Sequence, residues 1–321
     1  MSKINVTLGI DIGGTNTVLG LVTKEGECIK KSCIPTNAMD TAEDLFKRIF
    51  AEFEVLLPAA DGNYNLVGIG IGAPNANYYS GCVENPPNLN WGTVNIIELV
   101  KKFKDVPTAL TNDANAAALG ELKFGVARGM KNFIEMTLGT GLGSGIVVDG
   151  KLLYGHDGFA GEIGHTIAVR DGRKCGCGRK GCLEAYVSAG GIKRTVFELL
   201  VQSSDRSVLR DISYNELTSK KIYEAAVNGD KIANTAFKVT GKYLGESLAD
   251  SVAHLSPEAI VLFGGLSQAG DLLLDSVKKN LENSLLNIFK GKVKILVSGL
   301  PEGDAAVLGS GALIWHELNN Q

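Results

Sequence analysis

One histidine and three cysteines lie close together in a glycine-rich, basic stretch between residues 159 and 184. They are His165, Cys175, Cys177 and Cys182. Three thiolates and one imidazole form a ligand set that suits tetrahedral zinc. A Cys-x-Cys pair does not easily close a disulfide, and a redox site would more usually have the Cys-x-x-Cys spacing. We therefore predict a structural zinc site whose metal orients the flanking carboxylates Glu162 and Glu184.

Roles other than metal binding are open to these side chains. An isolated cysteine is most often a small core residue, but three cysteines among Gly, Arg and Lys do not form a core pattern. A nearby histidine can also simply hydrogen-bond, and this remains the alternative for His165. The other cysteines, Cys28, Cys33 and Cys82, are isolated and expected to be reduced, which favours the cytoplasm.

The composition is that of a globular protein large enough for two domains. The chain has 321 residues, of which 45% are hydrophobic and 21% charged, and its formal net charge is −3. This charge gives no indication of a nucleic-acid partner. The N-terminus lacks a signal-peptide pattern, and no apolar run is long enough to span a bilayer. We expect a cytoplasmic protein without a membrane partner.

Apolar periodicity predicts an α/β architecture with two similar halves. Each half begins with a strand, a glycine-rich turn and a second strand, around residues 5–23 and 133–149. A loop is expected from residue 75 to 91, and a helix over 183–201. Because the pattern repeats, we predict two α/β domains with a ligand-binding cleft between them.

The predicted domain boundary follows from the same pattern. We place the smaller N-terminal domain at residues 1–112, to which a C-terminal helix at 304–321 returns. The larger domain then covers residues 113–303 and carries the zinc loop at 165–182.

The first candidate for phosphate binding is the turn Gly13-Gly14-Thr15. Its backbone N–H groups and hydroxyl can cradle phosphate oxygens. Asp11, at the end of the preceding strand, can hold Mg²⁺ through water. The alternative is an ordinary two-residue hairpin, for which Gly-Gly is a common choice.

Two further glycine-rich turns are candidates for nucleotide binding. The turn that contains Thr140 and Gly141 lacks the Rossmann spacing and is followed by a strand, and no Walker lysine follows it. We interpret it as a second phosphate-binding hairpin. Gly264 and Gly265 follow a buried strand and can lie against a ring or a phosphate, but a plain strand–helix turn is the alternative.

The pair Asn112-Asp113 lies between a strand and an alanine-rich helix. One interpretation is structural, because Asp113 is a suitable N-cap residue. The other is functional: an amide next to a carboxylate can recognise hydroxyls, and the carboxylate can accept a proton from an alcohol.

Taken in order, these motifs resemble those of the ROK family of bacterial sugar kinases and sugar-responsive repressors, and most closely its glucokinases. The matching segments are Asp11-x-Gly-Gly-Thr15, Asn112-Asp113, Gly139-Thr-Gly-x-Gly143, Gly161-Glu-x-Gly-His165, Cys175-x-Cys-x4-Cys182 and Gly264-Gly265. The likeness covers nearly the whole chain, and its cysteine motif is the most specific part. It implies the actin-like ATPase fold, with duplicated ribonuclease H-like domains that close on ATP and sugar.

The resemblance also implies roles for individual residues. Asp113 corresponds to the catalytic base, and His165 serves both sugar and zinc. Sugar contacts correspond to Asn112, Asp113, Glu162, His165, Glu184, Pro74 and Asn88. ATP and phosphate contacts correspond to Gly13, Gly14, Thr15, Thr140, Gly141, Gly264 and Gly265. Zinc ligands correspond to His165, Cys175, Cys177 and Cys182. Asn75 stands where the family often has Gly, which leaves the conformation of that loop and the sugar preference open.

The expected activity is ATP-dependent phosphorylation of the 6-hydroxyl of glucose, with Mg²⁺ and a structural Zn²⁺, in a homodimer. N-acetylglucosamine, N-acetylmannosamine, mannose, fructose and allose remain alternative acceptors, and polyphosphate an alternative donor. A sugar-sensing repressor is disfavoured because only ten residues, read as a strand, precede Asp11, and these cannot form a DNA-reading domain.

Overall fold

A computed structural model describes residues 3–58, 60, 63–301 and 303–320. The strands are β1 (Ile4–Ile12), β2 (Asn16–Thr23), β3 (Cys28–Pro35), β4 (Tyr64–Gly72), β5 (Ala76–Asn77), β6 (Cys82–Glu84), β7 (Thr93–Asn95), β8 (Thr108–Thr111), β9 (Phe133–Leu138), β10 (Leu142–Val148), β11 (Lys151–Leu152), β12 (Ala259–Phe263) and β13 (Lys294–Val297). The helices are α1 (Ala42–Leu56), α2 (Ile96–Lys101), α3 (Asp113–Lys123), α4 (Ala189–Gln202), α5 (Ser219–Val227), α6 (Lys231–Leu255), α7 (Asp271–Ser284) and α8 (Ala305–Asn320).

The first compact unit comprises Met1–Lys131, Gly145–Gly161 and Ser298–Gln321. Its five-stranded sheet has the order β3-β2-β1-β4-β8. Strands β1, β2 and β3 are antiparallel neighbours, whereas β4 and β8 run parallel to β1. The carboxyl ends of β1, β4 and β8 therefore meet at one edge of this sheet.

Helices cover both faces of the first sheet. Buried side chains of β1 and β4, such as Leu8 and Ile69, form one core with Phe46 and Phe53 of α1. Residues alternate between faces along a strand, and Gly9 and Gly70 point to the opposite face. A Cβ atom at either glycine would collide with a backbone carbonyl of α8. Glycine thus lets α8 lie directly on the strands.

The second compact unit comprises Asn132–Ser144 and Glu162–Val297. The second sheet has the order β11-β10-β9-β12-β13, in which β9, β12 and β13 are parallel. The chain passes from the second unit to the first within β10, after Ser144. Helices α6 and α7 pack closely at Gly241, which has no side chain. A Cβ atom there would lie only 2.6 Å from the Cβ of Ser276.

Two expected elements differ in the structure. The predicted loop over 75–91 contains β5 and β6, which join β7 in a small antiparallel sheet; strands of two or three residues are too short to produce a periodic pattern. The predicted helix over 183–201 is also wrong at its start. A short 3₁₀ turn covers Leu183–Ala185, and α4 begins only after Ser188, whose hydroxyl accepts a hydrogen bond from the N–H of Gly191.

The compact units have bounds of their own. The predicted division after residue 112 assigns helix α3 to the second domain, whereas α3 lies in the first compact unit. Helix α8 lies in the first compact unit. Within the described residues, no helix combines the length and apolar character needed to cross a membrane.

Candidate functional site

The predicted site residues fall into two groups, one in each compact unit. The first unit contains Asp11, Gly13, Gly14, Thr15, Pro74, Asn88, Asn112 and Asp113. The second unit contains Thr140, Gly141, Glu162, His165, Cys175, Cys177, Cys182, Glu184, Gly264 and Gly265. In both units, residues from separate parts of the sequence meet where neighbouring parallel strands end, which is the usual ligand-binding edge of an α/β sheet.

Asp11 and Asp113 lie at the carboxyl edge of the first sheet. Asp11 pairs in register with Gly72 of β4, and Gly72 pairs with Thr111 of β8, two residues before Asp113. Protein atoms crowd both carboxyl groups. Desolvation, together with the negative charge of Asp113, raises the pKa of Asp11 to about 7. The raised pKa means that negative charge on the two carboxyl groups is costly here, and a cation bound beside them would reduce that cost.

The second carboxylate of the pair, Asp113, is not the N-cap of α3, although its Oδ1 accepts a hydrogen bond of 2.9 Å from the N–H of Ala114. The N-cap of α3 is Asn112, whose side-chain oxygen accepts a hydrogen bond of 2.7 Å from the N–H of Asn115. The alternative in which Asp113 caps the helix is therefore wrong by one position. Asp113 retains an exposed surface. Desolvation by the surrounding protein nevertheless raises its pKa, and backbone N–H groups of Ala114 and of Asp113 itself oppose that rise.

The pH dependence of stability should reveal the buried carboxyl of Asp11. Its pKa in the fold is about 7 against an ordinary value of 3.8, so the cost of burying its charge grows as pH rises through this interval and is complete above it. We expect Asp11→Asn to melt roughly 5 °C higher than wild type at pH 8 in EDTA without nucleotide. The difference should shrink as pH falls towards 4. A difference that is constant between pH 4 and 8 in calorimetry would contradict this.

The glycine hairpin of the first unit lies against the predicted sugar loop. A Cβ atom at Gly14 would be 2.8 Å from the Cβ of Asn88, so only glycine permits this approach. Thr15, beside it, is exposed. The Gly13–Thr15 turn closes the hairpin of β1 and β2, as expected for an ordinary hairpin turn. The same turn also contacts the segment that carries Asn88. The hairpin and phosphate-binding interpretations are thus compatible.

The second unit brings the four predicted metal ligands together. One ligand atom from each of His165, Cys175, Cys177 and Cys182 lies within 4.8 Å of all the others. The Sγ atoms of Cys177 and Cys182 are 3.6 Å apart, and Sγ of Cys175 is 3.7 Å from Nδ1 of His165. Ligand atoms around tetrahedral zinc are separated by about 3.5–3.8 Å, so the arrangement fits this ion. Burial raises the pKa of the Cys175 thiol to about 12, and a bound cation would offset that cost.

His165 presents its two ring nitrogens to different partners. Nδ1 faces the cysteine sulfurs, while Nε2 lies 4.0 Å from a carboxylate oxygen of Glu162. The backbone carbonyl of His165 also accepts a hydrogen bond from Arg179. One imidazole can therefore bind a metal on one side and remain beside a polar group on the other.

Glu184 joins the cluster of His165, Cys175, Cys177 and Cys182 to the glycine-rich turn after β9. Its Oε1 accepts a hydrogen bond of 3.3 Å from the thiol of Cys175, and its Oε2 accepts one of 3.0 Å from the N–H of Leu142. A Cβ atom at Gly141 would lie 2.7 Å from the same Oε2. The carboxylate thereby fixes the turn that carries Thr140, which is itself exposed.

Two glycine turns of the second unit adjoin each other and leave open space. Gly264 has a φ of 96°, and a Cβ atom there would lie 2.6 Å from the carbonyl oxygen of Leu138. A Cβ atom at Gly139 or at Gly265 would meet nothing within 4 Å. The backbone at these positions is accessible to a ligand such as a nucleotide, which fits the predicted ATP-binding role.

Arg173 supports the loop that carries the three cysteines, and no sequence pattern indicated this role. Its guanidinium donates to the carbonyls of Ala185 and Gly191 and pairs with Glu198, and it lies 4.4 Å from the ring centre of Tyr186. These contacts tie the loop to the segment around Glu184 and to α4. One basic residue among several in the loop could not be singled out from the sequence, because its partners follow 12 to 25 positions later.

Comparisons with known proteins agree with this fold and geometry. The sequence model of the ROK family matches residues 7–317. The chain is 35% identical to a glucokinase of Halalkalibacterium halodurans over 98% of this chain and 96% of that protein. It is 30% identical to a xylose repressor of Caldicellulosiruptor bescii, over 97% of this chain and 78% of that protein.

A solved structure extends the likeness to three dimensions. The crystal structure of a ROK family glucokinase from Streptomyces griseus in complex with glucose and AMPPNP has a TM-score of 0.80 and 32% identity, covering 96% of this chain and 98% of that one. The predicted actin-like α/β fold and the resemblance to ROK glucokinases are confirmed. The chain belongs to the ROK family.

Proposed function

We propose that this protein is an ATP-dependent hexose kinase that phosphorylates the 6-hydroxyl of glucose, with Asp113 as the general base. The observation that carries the proposal is the environment of Asp113. The residue Asp113 is exposed and is not the helix cap, and desolvation of its carboxyl group raises its pKa. A carboxylate made more basic in this way is suited to accept a proton from an alcohol. Glucose and AMPPNP, an ATP analogue, are bound by the related enzyme of Streptomyces griseus.

The proposed reaction is an in-line phosphoryl transfer. The 6-oxygen of the hexose bonds to the γ-phosphorus while the bond from that phosphorus to the β–γ bridging oxygen breaks, and the hydroxyl proton passes to Asp113. The products are hexose 6-phosphate and ADP. Transition states of this class are loose, so positioning and charge neutralisation supply most of the acceleration. The base adds about 10²–10⁴-fold.

The remaining predicted residues have binding roles in this proposal. Asn112, Glu162, His165, Glu184, Pro74 and Asn88 contact or enclose the hexose. The glycine turns at Gly13–Thr15 and Thr140–Gly141 bind phosphate oxygens, and the turn at Gly264–Gly265 lies against the adenosine. Buried polar groups that pair with sugar hydroxyls favour the correct sugar, because a sugar without the matching hydroxyl leaves them unpaired.

Two metals have separate places in the proposal. Zinc would be held by His165, Cys175, Cys177 and Cys182, which would fix the loop beside Glu184. Magnesium would be held through water by Asp11 and by the phosphates of ATP, where it supplies charge neutralisation. The rise in the pKa of Asp11 supports a cation at this position, since a nearby positive charge relieves the cost of ionising it.

A hexose panel tests the proposed reaction. Purified protein with MgATP would be offered glucose, mannose, fructose, N-acetylglucosamine and N-acetylmannosamine, and products would be identified by NMR. We expect the largest kcat/KM with glucose and phosphorus at the 6-oxygen. A higher value with an N-acetylated sugar would retain the chemistry and reject glucose as the preferred acceptor. A parallel assay with polyphosphate identifies the phosphoryl donor.

The relatives named xylose repressors provide the second candidate function, a sugar sensor without catalysis. Binding of a sugar in calorimetry, without phosphorylation by any donor, would favour the sensor and reject the kinase. We also propose a homodimer, which light scattering tests: a mass near 68 kDa is expected from a chain of 33.9 kDa, and a mass of one chain would reject it.

A further inference from the structure

Asn75 adopts a backbone conformation that few residues other than glycine accept. Its φ is 52°, in the left-handed region, and Asn enters this region more readily than most side chains. It follows Pro74 in the turn after β4. A Gly at this position would allow the same turn.

The side chain of Asn75 adds contacts that glycine cannot make. Its amide nitrogen donates hydrogen bonds of 3.1 Å to the carbonyls of Glu84 and Asn85. The backbone carbonyl of Asn75, which glycine would also provide, accepts a hydrogen bond of 3.0 Å from the N–H of Glu84. Three hydrogen bonds thus join Asn75 to the residues at which the 85–91 loop begins.

The far end of the 85–91 loop is held by different contacts. Nε1 of Trp91 donates to the carbonyl of Asp40 at 3.0 Å, and the N–H of Asn90 donates to the carbonyl of Ala38 at 2.8 Å. Between the two ends lies Asn88, whose Cβ closely approaches Gly14. Asn88 is itself exposed, so its position follows from the backbone of the loop, which is held at both ends and by the buried side chain of Leu89.

We propose that Asn75 is a positioning residue for the hexose, acting through the loop that carries Asn88. Asn75 fixes the near end of the loop, as Trp91 and Asn90 fix the far end. The inference rests on the proposed hexose kinase function, because the loop matters only if it lines the sugar site. In this proposal the side-chain amide of Asn75, and not only its left-handed backbone conformation, determines the affinity for sugar.

Asn75→Gly tests this directly, because glycine keeps the backbone conformation and removes both side-chain hydrogen bonds. We expect the KM for hexose to rise about 5- to 20-fold, while kcat and the KM for ATP stay within about twofold. Hydrogen exchange of the amides between residues 85 and 91 should quicken in the sugar-free protein. Asn75→Asp should raise the KM further, because it places carboxylate oxygens against two carbonyls.

Asp149→Gly is the matched control. Asp149 also has a left-handed backbone, with a φ of 50°, but lies in the turn between β10 and β11, and its replacement should leave the KM for hexose unchanged. An unaltered KM in Asn75→Gly, or equal rises in the KM for hexose and for ATP, would overturn the proposal. If wild-type protein phosphorylates no hexose, the kinase function fails. The exchange measurement would then still decide whether Asn75 anchors the loop.

Discussion

Asp113→Asn should lower kcat for hexose phosphorylation by about 10²–10⁴-fold and leave the KM for hexose within a few-fold of wild type. The substitution removes the proton acceptor but keeps the size of the side chain. It also leaves the cap of α3 in place, because Asn112 provides that cap. Steady-state kinetics with the preferred hexose, together with direct sugar binding by calorimetry, separate lost catalysis from lost binding.

Stability provides an internal check on the Asp113 variant. A carboxyl whose pKa is raised by folding begins to destabilise the fold when pH exceeds its pKa in the unfolded protein. The full cost is present once pH exceeds its pKa in the folded protein. Removing the charge should therefore not lower the melting temperature at pH 8. Asp271→Asn is the matched control, because Asp271 is likewise the first residue of its helix, α7; it should retain wild-type kcat. Wild-type turnover by Asp113→Asn would contradict the assignment of the base.

Cys177→Ser should remove most of the bound zinc and raise the KM for hexose about tenfold or more. Three ligands remain, but a serine hydroxyl is a poor replacement for a thiolate at a zinc site. The loss should reach the sugar through Glu184, since that residue lies two positions after the ligand Cys182 and its carboxylate accepts a hydrogen bond from the N–H of Leu142. Metal content by mass spectrometry and kinetics on the same preparation check both parts.

Cys33→Ser is the control for the zinc variant, because Cys33 is an exposed free cysteine on β3 outside the cluster. Its metal content and KM should match wild type. Wild-type protein that is isolated without zinc and is fully active would reject the structural role of the metal. A zinc-free Cys177→Ser that retains the wild-type KM would reject the link through Glu184.

The candidate site could be predicted where its residues are neighbours in sequence. The four residues proposed as metal ligands lie within one loop, so their number and type were sufficient to predict the cluster. The contact between Glu184 and the N–H of Leu142 joins residues 42 positions apart, and no local pattern encodes it. The helix cap at Asn112 shows a second limit, because Asn and Asp are almost equally good N-caps and adjacent residues cannot be ranked by type alone.

Elements of the fold were likewise predictable where a long local pattern marks them, and not where they depend on distant partners. The strand–turn–strand hairpins were visible because each strand is long and apolar. The sheet of β5, β6 and β7 was not, since its strands have two or three residues. Asn75 belongs to that region. Its role depends on carbonyl groups that are 9 and 10 positions further along the chain.

The packing of α8 on Gly9 and Gly70 has a consequence for synthesis of the chain on the ribosome. The first sheet is complete once β8 has emerged, but one of its faces waits for a helix that begins at Ala305. Until then Gly9 and Gly70 leave the backbone of β1 and β4 uncovered on the face that α8 will occupy, and unburied surface of this kind in a partly folded chain favours aggregation. The unit that begins the chain is therefore among the last parts to finish folding.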